Sequence, residues 1–543
     1  VIPFNYSHFI HSKWAASMVP IRNIDDVMEE IGQGPWILQL ISILCVGSMA
    51  DAMQLNLLSF TSPCAGTEFG LSASSTSFIS GIVFIGSLVG AQSLGALADR
   101  RGRKFAYGFS LATMVIFGVS TYFTSTFREL LLCQFCVGFG IGGCVAPFDY
   151  ISEAVPARAR GVCCMASMLC YGAGSLLTVA TAWATLDAYG WRSLALGISC
   201  PIFLAFLGVF TIPESARWLL SVGRTDDAIA ALKIAAARNG KHLDPFQLAV
   251  PKTNSRHVSA SSTMHRKNPA AESQSMFSKK YLPCTIILFI NWFSFGLCYF
   301  GAVSLISEIF MVTPGGGGGQ EGCAFDYPSI LLAAASEPAL MAVGLAVIDR
   351  SRRWTQGGSY LLAGVFLLAL GAAPPNAGRG RLVPLALAAR GCVNMGSNAT
   401  WTATPEAYPT SQRARAHGFL YIASRLGAFC SPYLVYSELS RSAKCLVLSV
   451  SCFLPGLCSF LLKETAGKHL DEEEEEDGRK EEEQQRRASG AAPPMPLPGK
   501  QRGTYVALAT ENEENEGKKV LPSSFPEGGG EDYDLREGDS NNI

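Results

Sequence analysis

Charge is scarce in this sequence. Of its 543 residues only 16% are charged, against about 25% in an average soluble chain. Much of that charge sits in two segments, 213–280 and 463–543, so the rest of the chain is poorer still. Mean hydropathy is +0.24. One soluble core is therefore an implausible destination for the long apolar stretches between those segments. Chemistry-bearing patterns are missing too. There is no phosphate loop, no run of ligands at metal spacing and no nucleophile beside a base, so no enzyme activity, metal or cofactor is expected. The net charge of −1 points to no particular partner, and nothing suggests a nucleic acid. The cysteines fall mainly inside apolar stretches, as in Cys133, Cys136, Cys163, Cys164 and Cys170, and read as small apolar fillers. Cys64 and Cys323 fall in two loops on one side, where a disulfide is open to them.

What is present is a series of apolar segments, each near the roughly 20 residues that cross about 30 Å of hydrocarbon. Six run at about 37–62, 75–97, 105–124, 130–151, 161–184 and 193–212. Six more run at about 281–312, 328–348, 356–373, 381–404, 415–438 and 443–462. Backbone polar groups cannot be left bare in lipid, so each is expected to be helical. The stretch at 37–62 is followed by no small-residue cleavage site and reads as a retained first span. The sequence thus predicts an all-α membrane protein of twelve transmembrane helices in two pseudo-symmetric six-helix bundles, 37–212 and 281–462. Around them lie a polar segment 1–36, a connecting segment 213–280 and an acidic tail 463–543, expected to be disordered. Within the connector, 225–239 reads as an amphipathic helix capped by Thr225 and Asp226 and ended by Gly240, with linker beyond 241.

Lys and Arg set the orientation. Loops on the side of the termini hold Arg100, Arg101, Arg103, Lys104, Arg158, Arg160, Arg350, Arg352, Arg353, Arg413 and Arg415, and the connector adds eleven more. The opposite loops hold only Arg128, Arg192, Arg379, Arg381, Arg441 and Lys444. Both termini are expected on the cytoplasmic side.

The two halves repeat. Asp99-Arg100-Arg101-Gly102-Arg103 returns as Asp349-Arg350-Ser351-Arg352-Arg353; Glu153-Ala154-Val155-Pro156 returns as Glu406-Ala407-Tyr408-Pro409; Glu214-Ser215-Ala216 returns as Glu464-Thr465-Ala466. The offsets are 250, 253 and 250 residues, and near-constant offsets between segments of like topology imply a parallel duplication about an axis along the membrane normal.

These residues carry a family resemblance. Gly95-x-x-x-Asp99-Arg100-x-Gly102-Arg103-Lys104 resembles the major facilitator loop between the second and third helices at every defined position. Glu153-x-x-Pro156-x-x-x-Arg160-Gly161 and Pro213-Glu214-Ser215-Ala216-Arg217-Trp218-Leu219 resemble the sugar-porter and organic-ion-transporter branch. Met49-Ala50-Asp51-Ala52-Met53, Gly138-Phe139-Gly140-Ile141-Gly142-Gly143 and Pro405-Glu406-x-Tyr408-Pro409-Thr410 are more similar to the synaptic-vesicle-two-related and nicotinate-type transporters. The resemblance covers roughly 25–465 and implies a monomeric transporter in a bilayer. There are departures: Gln134 stands where the family usually has Arg, Gln54 where an acid often follows the first-helix Asp, Arg352 where Gly is usual, and Lys463 where the last motif usually starts with Pro. The short loops at 63–74 and 313–327 differ from those of the animal organic cation transporters and of the glycosylated vesicle protein.

Two sets of residues are candidates for mechanism. The first is a gate: Gly95, Asp99, Arg100, Gly102, Arg103, Glu153, Arg160, Glu214, Arg217, Asp349, Arg350, Glu406 and Arg413. Exposed ion pairs are worth about 0–1 kcal/mol each, which suits a switch between states of similar energy; the alternative is that the arginines only fix topology. The second set consists of polar groups inside spans, costly enough in lipid to need a reason: Asp51, Gln54, Gln134, Glu337, Arg390, Asn394 and Arg425. Asp51 could be a proton or cation site, a packing acid bonded to nearby amides, or a direct contact for solute. Arg390 or Arg425 could grip a carboxylate through a two-pronged bond; against this stand a structural pair of Arg390 with Glu337 or Glu308, and snorkelling of Arg425 to a helix end. Asn291, Trp292, Phe295, Tyr299, Asn398 and Trp401 could line the same pocket or simply pack. The functional expectation is a secondary transporter of a small organic solute, an organic ion or carboxylate rather than a sugar, with proton coupling favoured. The rival is a transporter-like protein that signals or scaffolds.

Overall fold

The computed structural model describes residues 20–249, 275–312, 323–374, 377–408 and 410–464. Residues 465–543 of the acidic tail and 313–322 of the short loop lie outside the described residues, as do the side chains of Arg158 and Arg160.

The chain opens with β1 (Ile21–Arg22) and α1 (Ile24–Ile31), capped by the Asn23 side chain. Then comes α2 (Pro35–Glu68), whose Pro35 sits in the first turn, where its missing N–H costs nothing. Next are α3 (Ala73–Arg101) and α4 (Arg103–Tyr122), joined through Gly102. α5 (Phe127–Gly142) starts at a reciprocal cap between Thr126 and Glu129; the two backbone N–H bonds that Glu129 accepts, from Ser125 and Thr126, hold its carboxyl below the usual range. A 3-10 turn over 143–145 leads into α6 (Ala146–Ala154), so the fourth span is broken at its glycines. α7 (Ala157–Val209) runs through both the fifth and sixth predicted spans and turns at Gly190.

α8 (Ala216–Ser221), α9 (Thr225–Arg238) and β2 (Gln247–Leu248) form the connector. The expected cap of α9 is not made: Arg224 occupies the cap position, and Asp226 and Asp227 instead complement the helix dipole from the first turn. β2 pairs in parallel with β1, so the N-terminal segment and the connector fold together, a pairing too short to leave a sequence signal.

The second half follows: α10 (Leu282–Ile309), the hairpin β3 (Met311–Val312) and β4 (Ala324–Phe325), α11 (Tyr327–Ile348), α12 (Arg352–Ala372), α13 (Arg379–Glu406), α14 (Thr410–Val435) and α15 (Arg441–Ser459). Packing repeats between the halves. α2 against α7 matches α10 against α14; α3 against α5 matches α11 against α13; α4 against α7 matches α12 against α15. Close approach of α5 to α3 depends on Gly138, where a Cβ would lie 2.1 Å from the Val83 carbonyl oxygen.

Eight described helices are long and apolar enough to cross a membrane. The helices α13 and α14 fall short because they carry Arg390, Asn394, Asn398, Arg413, His417 and Arg425. These two helices supply much of the polar interior between the halves.

Candidate functional site

Three layers stack along the interface of the halves. At the face bearing the repeated loops, Arg103 bonds Asp99 at 2.6 Å and Glu153 at 3.1 Å. Glu214 accepts the backbone N–H groups of Lys104 and Ser215, each at 2.9 Å. Gly102 lies at φ +108°, and a Cβ there would sit 2.1 Å from Glu214 Oε2. Arg217 donates to the Glu153 carbonyl at 3.0 Å and pairs with Asp25. The second half repeats the arrangement: Arg352 bonds Asp349 at 2.7 Å and Glu406 at 3.2 Å, and Glu464 accepts the Arg352 N–H at 2.8 Å. Arg352 is thus the counterpart of Arg103 and not of Gly102. The spacing from acid to arginine is one residue shorter in the second half, and Ser351 caps α12 in an extended conformation that needs no glycine. Arg100 and Arg350 are exposed, and a Cβ at Gly95 would meet nothing within 4 Å.

A cavity of about 900 Å³ opens between the halves on this face. Gly95, Asp99, Arg103, Asp149 and Glu153 line it from one half, Met341, Arg413, His417 and Tyr421 from the other. At its inner end Met168, Asn398, Trp401 and Tyr421 are shared with a smaller pocket of about 90 Å³. Asp51 and Arg425 both face that pocket, with Tyr171, Phe295, Tyr299 and Asn394 around them. Arg425 donates to the Tyr421 hydroxyl and lies 4.5 Å above that ring. Among the described residues no ion pair joins Asp51 to Arg425; Asp51 Oδ1 and Arg425 Nε and Nη1 are shielded from solvent and lack a hydrogen-bond partner. Arg425 therefore does not snorkel to a helix end.

Beyond the pocket the halves are bridged by direct contacts. Glu337 and Arg390 pair at 2.6 Å, 0% and 2% exposed. Ser175 donates to Glu337 at 2.7 Å, Arg390 donates to Asn56 at 3.2 Å, and Asn56 donates to Ser175 at 3.1 Å, so a four-residue ring crosses the interface. Tyr299 adds a bond to Glu337 at 3.3 Å, and the Asn394 amide reaches the Glu337 carbonyl at 3.4 Å. Farther out, Ser59 meets Ser307 at 3.2 Å, Phe60 packs on Phe325 at 5.1 Å and Tyr327 donates to Asp187 at 2.5 Å. The Cys64–Cys323 disulfide joins the halves there. Glu308 pairs with Lys444 at 2.6 Å instead of with Arg390.

Of the seven expected binding residues, Asp51, Asn394 and Arg425 come together at the pocket. Arg390 and Glu337 form the rival structural pair just behind it, which leaves Arg390 no free fork for a solute. Gln54 and Gln134 are buried and line neither cavity; Gln54 lies instead against Gly118 of α4. The sequence reading missed Tyr171, Tyr421, His417, Asn56 and Ser175. Tyr421 carried a signal, lying one helical turn before Arg425. Asn56 and Ser175 carried none, because only the packed interface aligns them with the ion pair.

The sugar (and other) transporter family matches residues 42–476. The synaptic vesicle 2-related protein of Xenopus laevis is 28% identical, over 83% of this chain and 82% of its own length. Organic cation/carnitine transporter 7 of Arabidopsis thaliana is 24% identical, over 83% of this chain and 96% of its own. Among solved structures, the inward open conformation of the xylose transporter XylE from E. coli aligns with a TM-score of 0.63 at 17% identity, covering 80% of this chain and 98% of that one. Fold, duplication and match agree: the chain is a membrane transporter of the major facilitator type, not an enzyme, and it belongs to the sugar (and other) transporter family.

Proposed function

We propose that this protein is a twelve-span secondary transporter that moves a small organic ion by alternating access, with the repeated-loop face on the cytoplasmic side. The supporting observation is a wide cavity at one face that shares its inner lining with the pocket holding Asp51 and Arg425, behind which hydrogen bonds, rings and a disulfide bridge the halves. A solute seated at Asp51 and Arg425 adjoins the wide cavity in this state. Rocking of the halves about the site would close that cavity and open the opposite face. The repeated-loop networks bond within each half, so they travel as rigid pieces when the cavity narrows. Orientation rests on the excess of Lys and Arg on that face.

Arg425 is read as the anion grip, because its Nε and Nη1 are shielded and unpartnered while only Nη2 is engaged, by Tyr421. Asp51 is the cation-binding half of the site, for a proton or a positively charged group. The xylose proteins are named for a sugar and the plant relative for organic cations and carnitine; two unpaired charges fit an ion better than a sugar, whose hydroxyls would leave both uncompensated. The test is uptake of an organic-ion panel into proteoliposomes. Uptake that Arg425→Gln abolishes supports the reading. A folded protein that takes up nothing from the panel would favour a transporter-like signalling or scaffolding role.

A further inference from the structure

The pocket holds two opposite charges that lie in each other's field but are joined by no direct ion pair. Asp51 stands on α2 in one half and Arg425 on α14 in the other, both facing the same small space. Oδ1 of the acid and two nitrogens of the guanidinium are shielded and unpartnered. An ionised group held away from water is costly unless paired. A plain carboxylate would satisfy Arg425 and leave Asp51 bare; a plain ammonium would do the reverse. A solute with both charges, or an anion accompanied by a proton, meets the open positions of both groups at once.

The walls decide between these. Tyr171, Phe295, Trp401 and Tyr421 surround the charges, with Asn394 and Ser397 as the polar additions. Aromatic faces attract an organic cation, whereas a proton taken by a carboxyl gains nothing from them. We infer that the transported solute is a zwitterion, its carboxylate on Arg425 and its ammonium on Asp51 within the aromatic walls. This rests on the transporter reading above and narrows its substrate class. It also gives the site a use in alternating access: the solute ties one half to the other through its own two charges, so the halves are bridged only when it is whole.

The experiment is a binding measurement on the full-length protein in nanodiscs with two matched series: phenylalanine, phenylpropionate and phenethylamine; and gamma-aminobutyrate, butyrate and butylamine. The series differ in the separation of their charges. In at least one, the zwitterion is expected to bind about 10–100-fold more tightly than both its acid and its amine, the penalty for an unmet buried charge. Asp51→Asn is expected to bring the zwitterion and its acid to the same affinity. An acid that binds as tightly as its zwitterion overturns the inference in favour of a co-transported proton, and so does failure of both zwitterions to bind; neither result needs a variant to fold. Uptake by the same protein in liposomes is read separately. A zwitterion that binds tightly and never crosses overturns the transport reading while leaving the site assignment, and uptake of acids alone does the opposite.

Discussion

Glu337 and Arg390 meet at 2.6 Å inside the second half, and each also grips the first half, through Ser175 and Asn56. The pair is therefore both a core element and part of the seal behind the pocket. Removing one partner strands the other charge, at a cost of about 3–5 kcal/mol. Glu337→Gln and Arg390→Met singly are expected to lower the melting temperature sharply. The double replacement Glu337→Leu with Arg390→Met is expected to recover most of it, because no buried charge remains. Melting curves of the four proteins in detergent check this; a double variant worse than both singles contradicts it.

Gly102 holds a left-handed backbone against Glu214. Gly102→Ala is expected to cost about 1–3 kcal/mol, the range for a non-glycine residue in such a conformation. Adding Glu214→Ala relieves the contact but not the backbone, so recovery is partial. Gly95→Ala meets open space in this state and is expected to leave melting unchanged. Equal losses at 95 and 102 would contradict the account.

Arg352 bridges Asp349 and Glu406 as Arg103 bridges Asp99 and Glu153. By sequence pattern alone, Arg352→Gly restores the usual loop. By geometry it removes the bridge, at about 1–2 kcal/mol once solvent screening is allowed for. A stability measurement on Arg352→Gly separates the two; gain in stability would reinstate the sequence alignment.

How much was legible beforehand follows from the physics of each feature. The segments could be found because hydrocarbon demands long apolar runs. The duplication was visible in three charged patches at helix ends, and the structure places the acids and arginines of the first two in matching networks. Arg352 was misaligned because a one-residue difference in the spacing from acid to arginine moves an arginine onto a glycine. The site was legible only in part. Asp51 and Arg425 stood out as charges in spans, but nothing in their spacing says that they share a pocket, since 374 positions separate them. Whether Arg390 or Arg425 was the free fork depended on Glu337, which reaches only one of them.

The Cys64–Cys323 disulfide ties the end of α2 to the start of β4 across the closed face. It opposes separation of the halves there. Reduction, or Cys64→Ser, is expected to speed uptake a few-fold, provided opening of that face limits the cycle. Initial uptake rates with and without reductant check this, and slower uptake after reduction would contradict it.

Alternating access is tested most directly by distance. Spin labels at Arg100 and Arg350, exposed on the two repeated loops, report the open face; labels at Gly70 and Leu439 report the closed one. Pulsed dipolar spectroscopy in nanodiscs, with and without a transported zwitterion, is expected to show the first distance shortening as the second lengthens. Both distances fixed, or both moving in the same direction, would contradict the account.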